Sequence, residues 1–255
     1  MKYLFSPTGT RVLESLTFTR TLYAFDFDGT LAPIVNIPEK AKASIIIDGL
    51  LRELSAHESV AVISGRSIAD LKKRMDFVPD HLIGNHGLEG LSLRAESANQ
   101  AQSICNIWKK QLGKAWNLNS GVFLEDKTYS LAIHYRNSRN KKSDRLALFK
   151  KIEKLDPSPR VVLGKCVFNL IPPGAPHKGV ALLELMMRLD LKCALYIGDD
   201  DTDEDVFSLP DARIISVRVG QKSSSQAQYF IKRQNEVSRM LRNILKLVKK
   251  CQKNR

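Results

Sequence analysis

The feature that most constrains the fold of this chain is a set of short apolar runs, each of which ends at a glycine or a polar residue. The runs cover 21–26, 60–63, 194–197 and 214–219. Their length and their β-branched and aromatic residues predict buried strands. Helical patterns at 43–56 and 178–190 separate them. Strands that alternate with helices predict an α/β fold with a parallel sheet, which places ligands at the carboxyl ends of the strands.

The stretch from about 95 to 173 has a different pattern. Its elements are a helix candidate at 98–114, a strand–turn–strand pattern at 122–137, a second helix candidate at 141–154 and a strand-like stretch at 161–171. Two helices with several neighbouring strands predict an α+β insert. We therefore expect a Rossmann-like parallel-sheet core made of residues 1–95 and 174–255, with a smaller α+β domain of residues 96–173 inserted in it.

The charge of the chain is strongly basic, and much of it is local. The net charge is +13, from 40 Lys and Arg against 27 Asp and Glu. This balance favours acidic partners such as nucleic acid, anionic membranes or phosphorylated substrates. Between residues 232 and 255, nine basic residues accompany one acid, Glu236. Apolar residues at helical spacing in 236–250 predict a terminal amphipathic helix docked on the core, with a membrane or nucleic-acid contact as the alternative.

Cysteine usage and hydropathy indicate the compartment. The chain has four cysteines, none in a CxxC pair, and it is too long to need a disulfide framework. The first twenty residues lack the apolar stretch of a signal peptide, and no apolar run approaches the roughly 18–20 residues that span a bilayer. We expect a cytoplasmic protein without a membrane segment.

Two carboxylates, Asp26 and Asp28, directly follow the first apolar run. Gly29 permits a turn that could bring both into one site. One carboxylate could then attack a phosphorus atom while the other moves a proton. A bare DxD is usually a pair of solvated acids, but DFDGT after an apolar strand is much more specific.

Two further segments could bind phosphate. Ser64, Gly65 and Arg66 follow the second apolar run. A hydroxyl group and backbone N–H groups at a helix start can hold phosphate oxygens. Lys178 opens a helical pattern, and its ammonium group could neutralise a phosphoryl group and a neighbouring aspartate. Each of these signals is weak when taken alone.

The fourth segment is an acidic run at 199–205, which holds five Asp and one Glu. Crowded carboxylates repel each other unless a cation compensates them, and hard oxygen ligands select Mg²⁺ or Ca²⁺. An EF-hand loop that began at Asp199 would need glycine where Glu204 stands, so that calcium motif is excluded. A solvated, acidic helix start is the alternative interpretation.

The order and placement of these segments resemble the haloacid dehalogenase-like phosphatase superfamily, over most of residues 21–90 and 172–220. Four pieces narrow the resemblance to trehalose-6-phosphate phosphatases: SGRS at 64–67, GNHGLE at 84–89, LEDKTYSLAIHYR at 124–136 and GDDDTDEDVF at 198–207. That family has an α/β cap inserted between its second and third motifs, where the 95–173 insert lies here.

The resemblance implies a Mg²⁺-dependent hydrolysis in two steps. Asp26 would attack the phosphorus and form an aspartyl-phosphate, while Asp28 would protonate the leaving sugar oxygen and then activate water. The phosphate-binding residues would be Asp26, Thr30, Ser64, Gly65 and Lys178. The metal ligands would be the Asp26 carboxylate, the Asp28 backbone carbonyl and Asp199. Asp200 and Asp203 would orient the metal surroundings and Lys178.

The resemblance also implies sugar-binding residues in the inserted domain. They would be Glu125, Lys127, Arg136 and Asn169, of which the first three would contact sugar hydroxyl groups or position the phosphate. Asn169 stands where the family usually has glutamate; its amide can still hydrogen-bond a hydroxyl group, but without a charge. His177 stands where an asparagine commonly precedes the motif lysine. Both departures concern the identity of the sugar rather than the phosphate chemistry.

The function implied is the hydrolysis of trehalose 6-phosphate, which completes trehalose synthesis. The alternative within the same chemistry is another sugar phosphate, such as sucrose 6-phosphate or glucosylglycerol phosphate. A module that has lost catalysis is disfavoured because Asp26 and Asp28 are both present. A nucleic-acid binder is disfavoured because few aromatic residues accompany the basic tail. We expect a monomer without specific nucleic-acid or membrane partners, and a trehalose-phosphate synthase as a candidate partner.

Overall fold

The computed structural model describes residues 1–35, 37–91, 95–113, 121–164 and 166–253, with the side chains of residues 95 and 96 left aside. The chain divides into two compact units. The first consists of Met1–Gly90 and His177–Arg255, and the second of Leu91–Pro176. No helix within the described ranges combines the length and the apolar character that a bilayer span requires. All four cysteines lie in these ranges as free thiols.

The first unit is built on a seven-stranded sheet in which every pair of neighbours is parallel. Its strands, numbered along the whole chain, are β1 (Lys2–Tyr3), β2 (Thr21–Phe25), β3 (Ser59–Ile63), β4 (His81–Ile83), β9 (Cys193–Gly198), β10 (Ile214–Val219) and β11 (Tyr229–Ile231). Their order across the sheet is β1-β11-β10-β9-β2-β3-β4. All five residues of β2 are buried, as expected for a parallel sheet covered on both faces. The four predicted strands are confirmed.

The helices of the first unit flank this sheet. They are α1 (Pro7–Leu16), α2 (Ile45–Ser55), α3 (Ile68–Lys72), α6 (Lys178–Arg188), α7 (Glu204–Phe207) and α8 (Glu236–Lys253). Serine side chains cap three of their N-termini: Ser6, Ser44 and Ser67 each accept a hydrogen bond from a backbone N–H of the first turn. Such a cap satisfies an N–H group that has no partner within the helix.

The predicted terminal helix is confirmed as α8, which packs on the core beside α1 and α2. The residues of its buried face are Val237, Met240, Leu241, Ile244, Leu245 and Val248. Each such side chain contributes about 1.5–3 kcal/mol on burial. Because the apolar face is used for packing, the solvent-exposed face of α8 is left with its basic residues.

The second unit has a four-stranded antiparallel sheet of order β5-β6-β8-β7. Its elements are α4 (Ala95–Leu112), β5 (Phe123–Asp126), β6 (Leu131–His134), α5 (Lys141–Ile152), β7 (Arg160–Gly164) and β8 (Val167–Ile171). Its core includes Trp108, Leu131 and Phe168, all fully buried.

One sequence prediction for the second unit needs correction. The strand-like stretch at 161–171 is a hairpin of two strands, β7 and β8. Cys166 lies in the turn with φ 64°, a conformation that side chains other than glycine rarely adopt. Gly164 is the single turn signal there, so the apolar pattern continues across the turn and conceals it.

Candidate functional site

The sheet places the ends of β2 and β9 side by side. Ala24 of β2 pairs with Tyr196 of β9, and the Asp26 N–H donates to the Ile197 carbonyl at 2.8 Å. Asp26 and Asp199, which follow these strands, therefore lie at the same carboxyl edge, as the sequence predicted. The predicted turn after Asp26 is present: Gly29 has φ 77° and its N–H donates to the Ala32 carbonyl at 2.8 Å.

Gly29 is also needed because of its close neighbour. A Cβ atom at this position would overlap the Asp199 carboxylate. Thr30 follows in the same turn, and its hydroxyl donates to Asp199 Oδ1 at 3.5 Å. The turn thus brings Thr30 and Asp199 together with Asp26.

A buried lysine joins two carboxylates at this edge. Lys178 Nζ lies 2.9 Å from Asp26 Oδ1 and 2.8 Å from Asp203 Oδ1. The three side chains are 1%, 6% and 0% exposed, respectively. Burial raises the pKa of Asp26 to about 7, against the lowering effect of Lys178. Burial also opposes the charge of Lys178, but the two aspartates outweigh it and raise the pKa of that ammonium group, so Lys178 stays protonated.

Asp203 organises the loop after β9. Its Oδ1 accepts from Lys178 and from the Tyr196 hydroxyl at 2.6 Å, and its Oδ2 accepts from the N–H groups of Asp199 and Asp200, both at 2.9 Å. A Cβ atom at Gly198 would overlap this carboxylate. Sequence reasoning missed Tyr196. Because alternate residues of a strand face the same side, its position two residues before Gly198 places it on the side of β9 that faces Asp203.

The carboxylates at this edge can hold a metal ion. One oxygen each from Asp26, Asp199 and Asp203 lie within 4.8 Å of one another. Each of the two Asp203 oxygens already accepts two hydrogen bonds, so Asp26 and Asp199 are the better metal ligands. Burial first, and then the charge of Asp26, raise the pKa of Asp199 to about 9. A divalent cation would offset this concentration of negative charge, and an all-oxygen set suits hard cations.

Asp28 points to a different partner. Arg66 donates from Nε to Asp28 Oδ2 at 2.6 Å and from Nη2 to Asp28 Oδ1 at 2.7 Å. The Asp28 carboxylate remains 41% exposed. In the turn, the Gly29 N–H donates to the Ala32 carbonyl, and the N–H groups of Thr30 and Ala32 donate to the Phe27 carbonyl. These bonds do not use the Asp28 carbonyl. Sequence reasoning named Arg66 only as part of the phosphate-binding segment 64–66 and assigned no role to its side chain.

The predicted phosphate-binding residues after β3 are also placed at the carboxyl edge. Ser64 is 1% exposed, and its hydroxyl accepts from the Arg66 N–H at 3.2 Å. Gly65 lies against the ring of His86, which a Cβ atom would overlap. Asp200 begins a 3₁₀ turn and accepts from the Asp201 N–H at 2.8 Å.

His177 performs the capping task that an asparagine would perform. Its Nδ1 accepts from the N–H groups of Gly179 and Val180 at 3.2 and 3.4 Å. It is therefore the N-cap of α6, and it fixes Lys178 in the first turn. This departure from the family leaves the placement of the lysine intact.

The predicted sugar-binding residues all lie in the second unit. Glu125 Oε2 is 2.7 Å from His134 Nε2, and the His134 ring stacks on Phe123 with centroids 4.4 Å apart. Asn169 Nδ2 donates to the Val162 carbonyl at 3.3 Å. Through the register of β5, β6 and β8, Glu125 and Asn169 occupy the same face of the sheet.

Lys127 and Arg136 follow the ends of β5 and β6, and both are half-buried. The Lys127 N–H closes the β5–β6 turn by donating to the Ser130 carbonyl at 3.0 Å. The assignment of Lys127, Arg136, Glu125 and Asn169 to a sugar stays a prediction.

A family model described as trehalose-phosphatase matches residues 24–236. The chain belongs to the trehalose-phosphatase family. A Mycobacterium ulcerans protein named trehalose-phosphate phosphatase is 32% identical over 217 residues, which cover 80% of this chain and 56% of that protein. A Mycobacterium tuberculosis protein named uncharacterized glycosyl hydrolase is 36% identical over 207 residues, covering 75% of this chain and 15% of that protein. The chain thus spans about half or less of these two relatives.

Solved structures agree with the family assignment at the level of the fold. A trehalose-6-phosphate phosphatase related protein superposes with a TM-score of 0.74 at 22% identity, covering 90% of this chain and 99% of that one. The C-terminal domain of Candida albicans trehalose-6-phosphate phosphatase gives a TM-score of 0.73 at 24% identity, covering 94% and 97%. The predicted α/β fold class and the predicted family are confirmed.

Proposed function

We propose that this chain is a Mg²⁺-dependent phosphatase that hydrolyses trehalose 6-phosphate, the last step of trehalose biosynthesis. The observation that carries the proposal is the cluster of buried Asp26, Lys178 and Asp203 with half-buried Asp199 at the carboxyl edge of the sheet, in a member of the trehalose-phosphatase family. A carboxylate held this way beside a cation suits attack on a phosphate monoester.

The geometry supports distinct tasks for the residues of the cluster. Asp26 is the nucleophile, because its carboxylate follows the interior strand β2 and is fixed by Lys178. Lys178 also stabilises negative charge on the phosphoryl oxygens, which Thr30 and Ser64 help to orient. Asp28 is the acid and base, because its carboxylate remains open to solvent.

The reaction proceeds in two steps. In the first, an Asp26 oxygen bonds to phosphorus, the ester P–O bond breaks, and the sugar oxygen takes a proton from Asp28. In the second, a water oxygen bonds to phosphorus and the acyl-phosphate P–O bond breaks, while Asp28 accepts the proton from the water. Sugar and inorganic phosphate leave, and both aspartates return to their starting forms.

The cluster also supports the need for a metal. Asp26, Asp199 and Asp203 surround Lys178, so carboxylates outnumber the cation. Asp26, Asp199 and the Asp28 carbonyl would hold Mg²⁺, with Asp200 and Asp203 orienting the loop. When bound, Mg²⁺ would offset the negative charge that the phosphoryl group brings.

The sugar is proposed from the second unit. Glu125, Lys127, Arg136 and Asn169 would contact the hydroxyl groups of trehalose 6-phosphate. One observation favours a second candidate: Asn169 replaces a charged residue, and its amide already donates to the Val162 carbonyl. Another sugar phosphate, such as sucrose 6-phosphate or glucosylglycerol phosphate, is therefore the alternative substrate. A cytoplasmic location, a monomeric state and contact with a synthase remain predictions.

The test is phosphate release from trehalose 6-phosphate beside glucose 6-phosphate, sucrose 6-phosphate and glucosylglycerol phosphate. The assay is run with Mg²⁺ and with EDTA, on the wild type, on Asp26→Asn and on Asp201→Asn. Asp201 is the matched control, since it belongs to the same acidic run but pairs with the exposed Lys222.

We expect a preference for trehalose 6-phosphate that disappears in EDTA and in Asp26→Asn but persists in Asp201→Asn. Turnover of a different sugar phosphate would retain the Asp26 chemistry and reassign the substrate. If the folded protein hydrolyses none of these esters, the proposed phosphatase function is refuted.

A further inference from the structure

Arg66 is held more firmly than a surface arginine needs to be. Besides the two hydrogen bonds to Asp28, it donates from Nη1 to Asp70 Oδ2 at 2.6 Å and from Nη2 to the Pro38 carbonyl at 3.0 Å. Its guanidinium carbon lies 5.7 Å from the centre of the Phe27 ring. The side chain is 11% exposed. These contacts fix the plane of the guanidinium group.

A second arginine binds the same Asp70 carboxylate. Arg74 donates to both oxygens of Asp70, at 2.8 and 2.6 Å. Burial works against the charge of Asp70, but Arg74 and Arg66 outweigh it and lower the pKa of that carboxyl group. Asp28, Arg66, Asp70 and Arg74 therefore form one continuous chain of charge-assisted hydrogen bonds within the first unit.

The geometry at Asp28 is that of a bidentate pair. Such a pair fixes both the position and the plane of the carboxylate. A carboxylate has about four lone-pair directions, and Arg66 uses one on each oxygen. The other two directions remain available on a carboxylate that is 41% exposed. Arg66 thus restrains Asp28 without occupying the directions through which it would exchange a proton.

We propose that Arg66 is a positioning residue that holds the Asp28 carboxylate in place for proton transfer. The proposal rests on the proposed phosphatase function. Arg66 itself exchanges no proton. It keeps Asp28 where it can give a proton to the leaving sugar oxygen in the first step and take one from water in the second. Without Arg66, the Asp28 carboxylate rotates freely in solvent and reaches these positions only a fraction of the time.

The experiment uses Arg66→Met, Arg66→Lys, Asp28→Asn and the double variant Asp28→Asn with Arg66→Met. Arg74→Met is the matched control: the Arg74 side chain is 11% exposed, as is that of Arg66, and it pairs with the same Asp70 but not with Asp28. Two substrates are compared, trehalose 6-phosphate and p-nitrophenyl phosphate. The second substrate has a leaving group that departs without a proton, so its first step does not need Asp28.

General acid–base catalysis contributes roughly 100- to 10,000-fold, so Arg66→Met is expected to lower kcat for trehalose 6-phosphate by about 100-fold or more. In the Asp28→Asn background, the same change is expected to alter the rate by less than about 3-fold, because Arg66 acts through Asp28. Arg66→Lys keeps the charge but not the bidentate geometry, and an intermediate rate is expected.

With p-nitrophenyl phosphate, Asp28→Asn and Arg66→Met are expected to release one p-nitrophenolate per active site in a burst, followed by slow turnover. These variants retain the first step, which releases p-nitrophenolate, but the second step still needs a correctly placed Asp28 and is therefore slow. Arg74→Met should lower the melting temperature about as much as Arg66→Met does, but give no burst. A burst is a readout that loss of stability alone does not produce.

The outcomes separate the two proposals. An active wild type in which the losses from Asp28→Asn and Arg66→Met multiply, or in which Arg66→Met gives no burst, overturns the positioning role alone. A wild type that turns over neither ester overturns the proposed function and this inference with it. Non-multiplying losses together with a burst in Arg66→Met support the positioning role.

Discussion

Replacing Lys178 by methionine keeps the length of the side chain and removes the cation that Asp26 and Asp203 share. Removing one partner of a buried ion pair costs about 3–5 kcal/mol. The free energy of taking up a proton sets an upper bound on this loss of stability. The folded variant can replace the lost cation by taking up one proton more than the wild type binds, on a carboxyl group of the cluster whose ordinary pKa is 3.8. At pH 7 this uptake costs about 1.4 kcal/mol for each of roughly three pH units, or about 4 kcal/mol.

The cost of removing an ion-pair partner and the cost of proton uptake agree, and the cost of proton uptake also depends on pH. A carboxyl group whose pKa is raised in the folded state stabilises the fold below its ordinary pKa, and this contribution is lost as the pH rises. The free energy of unfolding of Lys178→Met should therefore fall below that of the wild type by about 4 kcal/mol at pH 7, but by about 2 kcal/mol at pH 5.

The assay is urea unfolding followed by circular dichroism at both pH values, in metal-free buffer. Lys222→Met is the matched control, because Lys222 pairs with Asp201 at an exposed site and should cost less than about 1 kcal/mol at either pH. A loss for Lys178→Met below about 1.5 kcal/mol at pH 7, or a loss equal at pH 5 and pH 7, would refute the reasoning.

Three further predictions follow from the site. Gly29→Ala should lower phosphatase activity by about 100-fold, as measured by phosphate release, because the new Cβ displaces the Asp199 carboxylate; activity within a few-fold of wild type would contradict this. Mg²⁺ at about 100 times the Kd that it has at pH 9 should raise Tm at that pH by about 5–10 °C. In thermal melts this rise in Tm should grow from pH 6 to pH 9, because burial raises the pKa of Asp199 to about 9 and metal binding needs the ionised carboxylate. The rise should vanish in Asp199→Asn. A rise in Tm that is the same at every pH would contradict a role for Asp199 as a metal ligand. His177→Ala should cost about 1 kcal/mol in urea unfolding while His177→Asn costs little, since both His and Asn can cap α6; equal losses would exclude the capping role.

The elements that the sequence predicted well are those whose signal is local. The strands β2, β3, β9 and β10 are apolar runs that end at a glycine or a polar residue, and α8 has a long apolar stripe. The strands of the first unit that it missed are short: β1, β4 and β11 have two or three residues each. Periodicity needs more residues than that to become visible. The ten-residue helix α1 was missed as well.

The residues of the candidate site also divide into those with a local sequence signal and those without one. Asp26, Lys178 and Asp199 are found from sequence because each stands directly at a strand end or a helix start. Tyr196 and the side chain of Arg66 were not assigned, because the local pattern shows neither partner: Asp28 follows a neighbouring strand, and Asp203 is brought back to Tyr196 by the loop after β9. Arg66 meets Asp28 only because β2 and β3 are neighbours, with Phe25 opposite Val62.

The position of β2 between β3 and β9 has a consequence for biosynthesis. Ala24 pairs with Ala61 on one side, but its partner on the other side is Tyr196, 172 positions later. At roughly 5–20 residues per second, a ribosome needs about 10–30 s to make that stretch. During this time the nascent chain carries a largely apolar strand with one open edge, which is a template for pairing with other chains. The strand that presents the proposed nucleophile is thus also a point at which folding is exposed to aggregation.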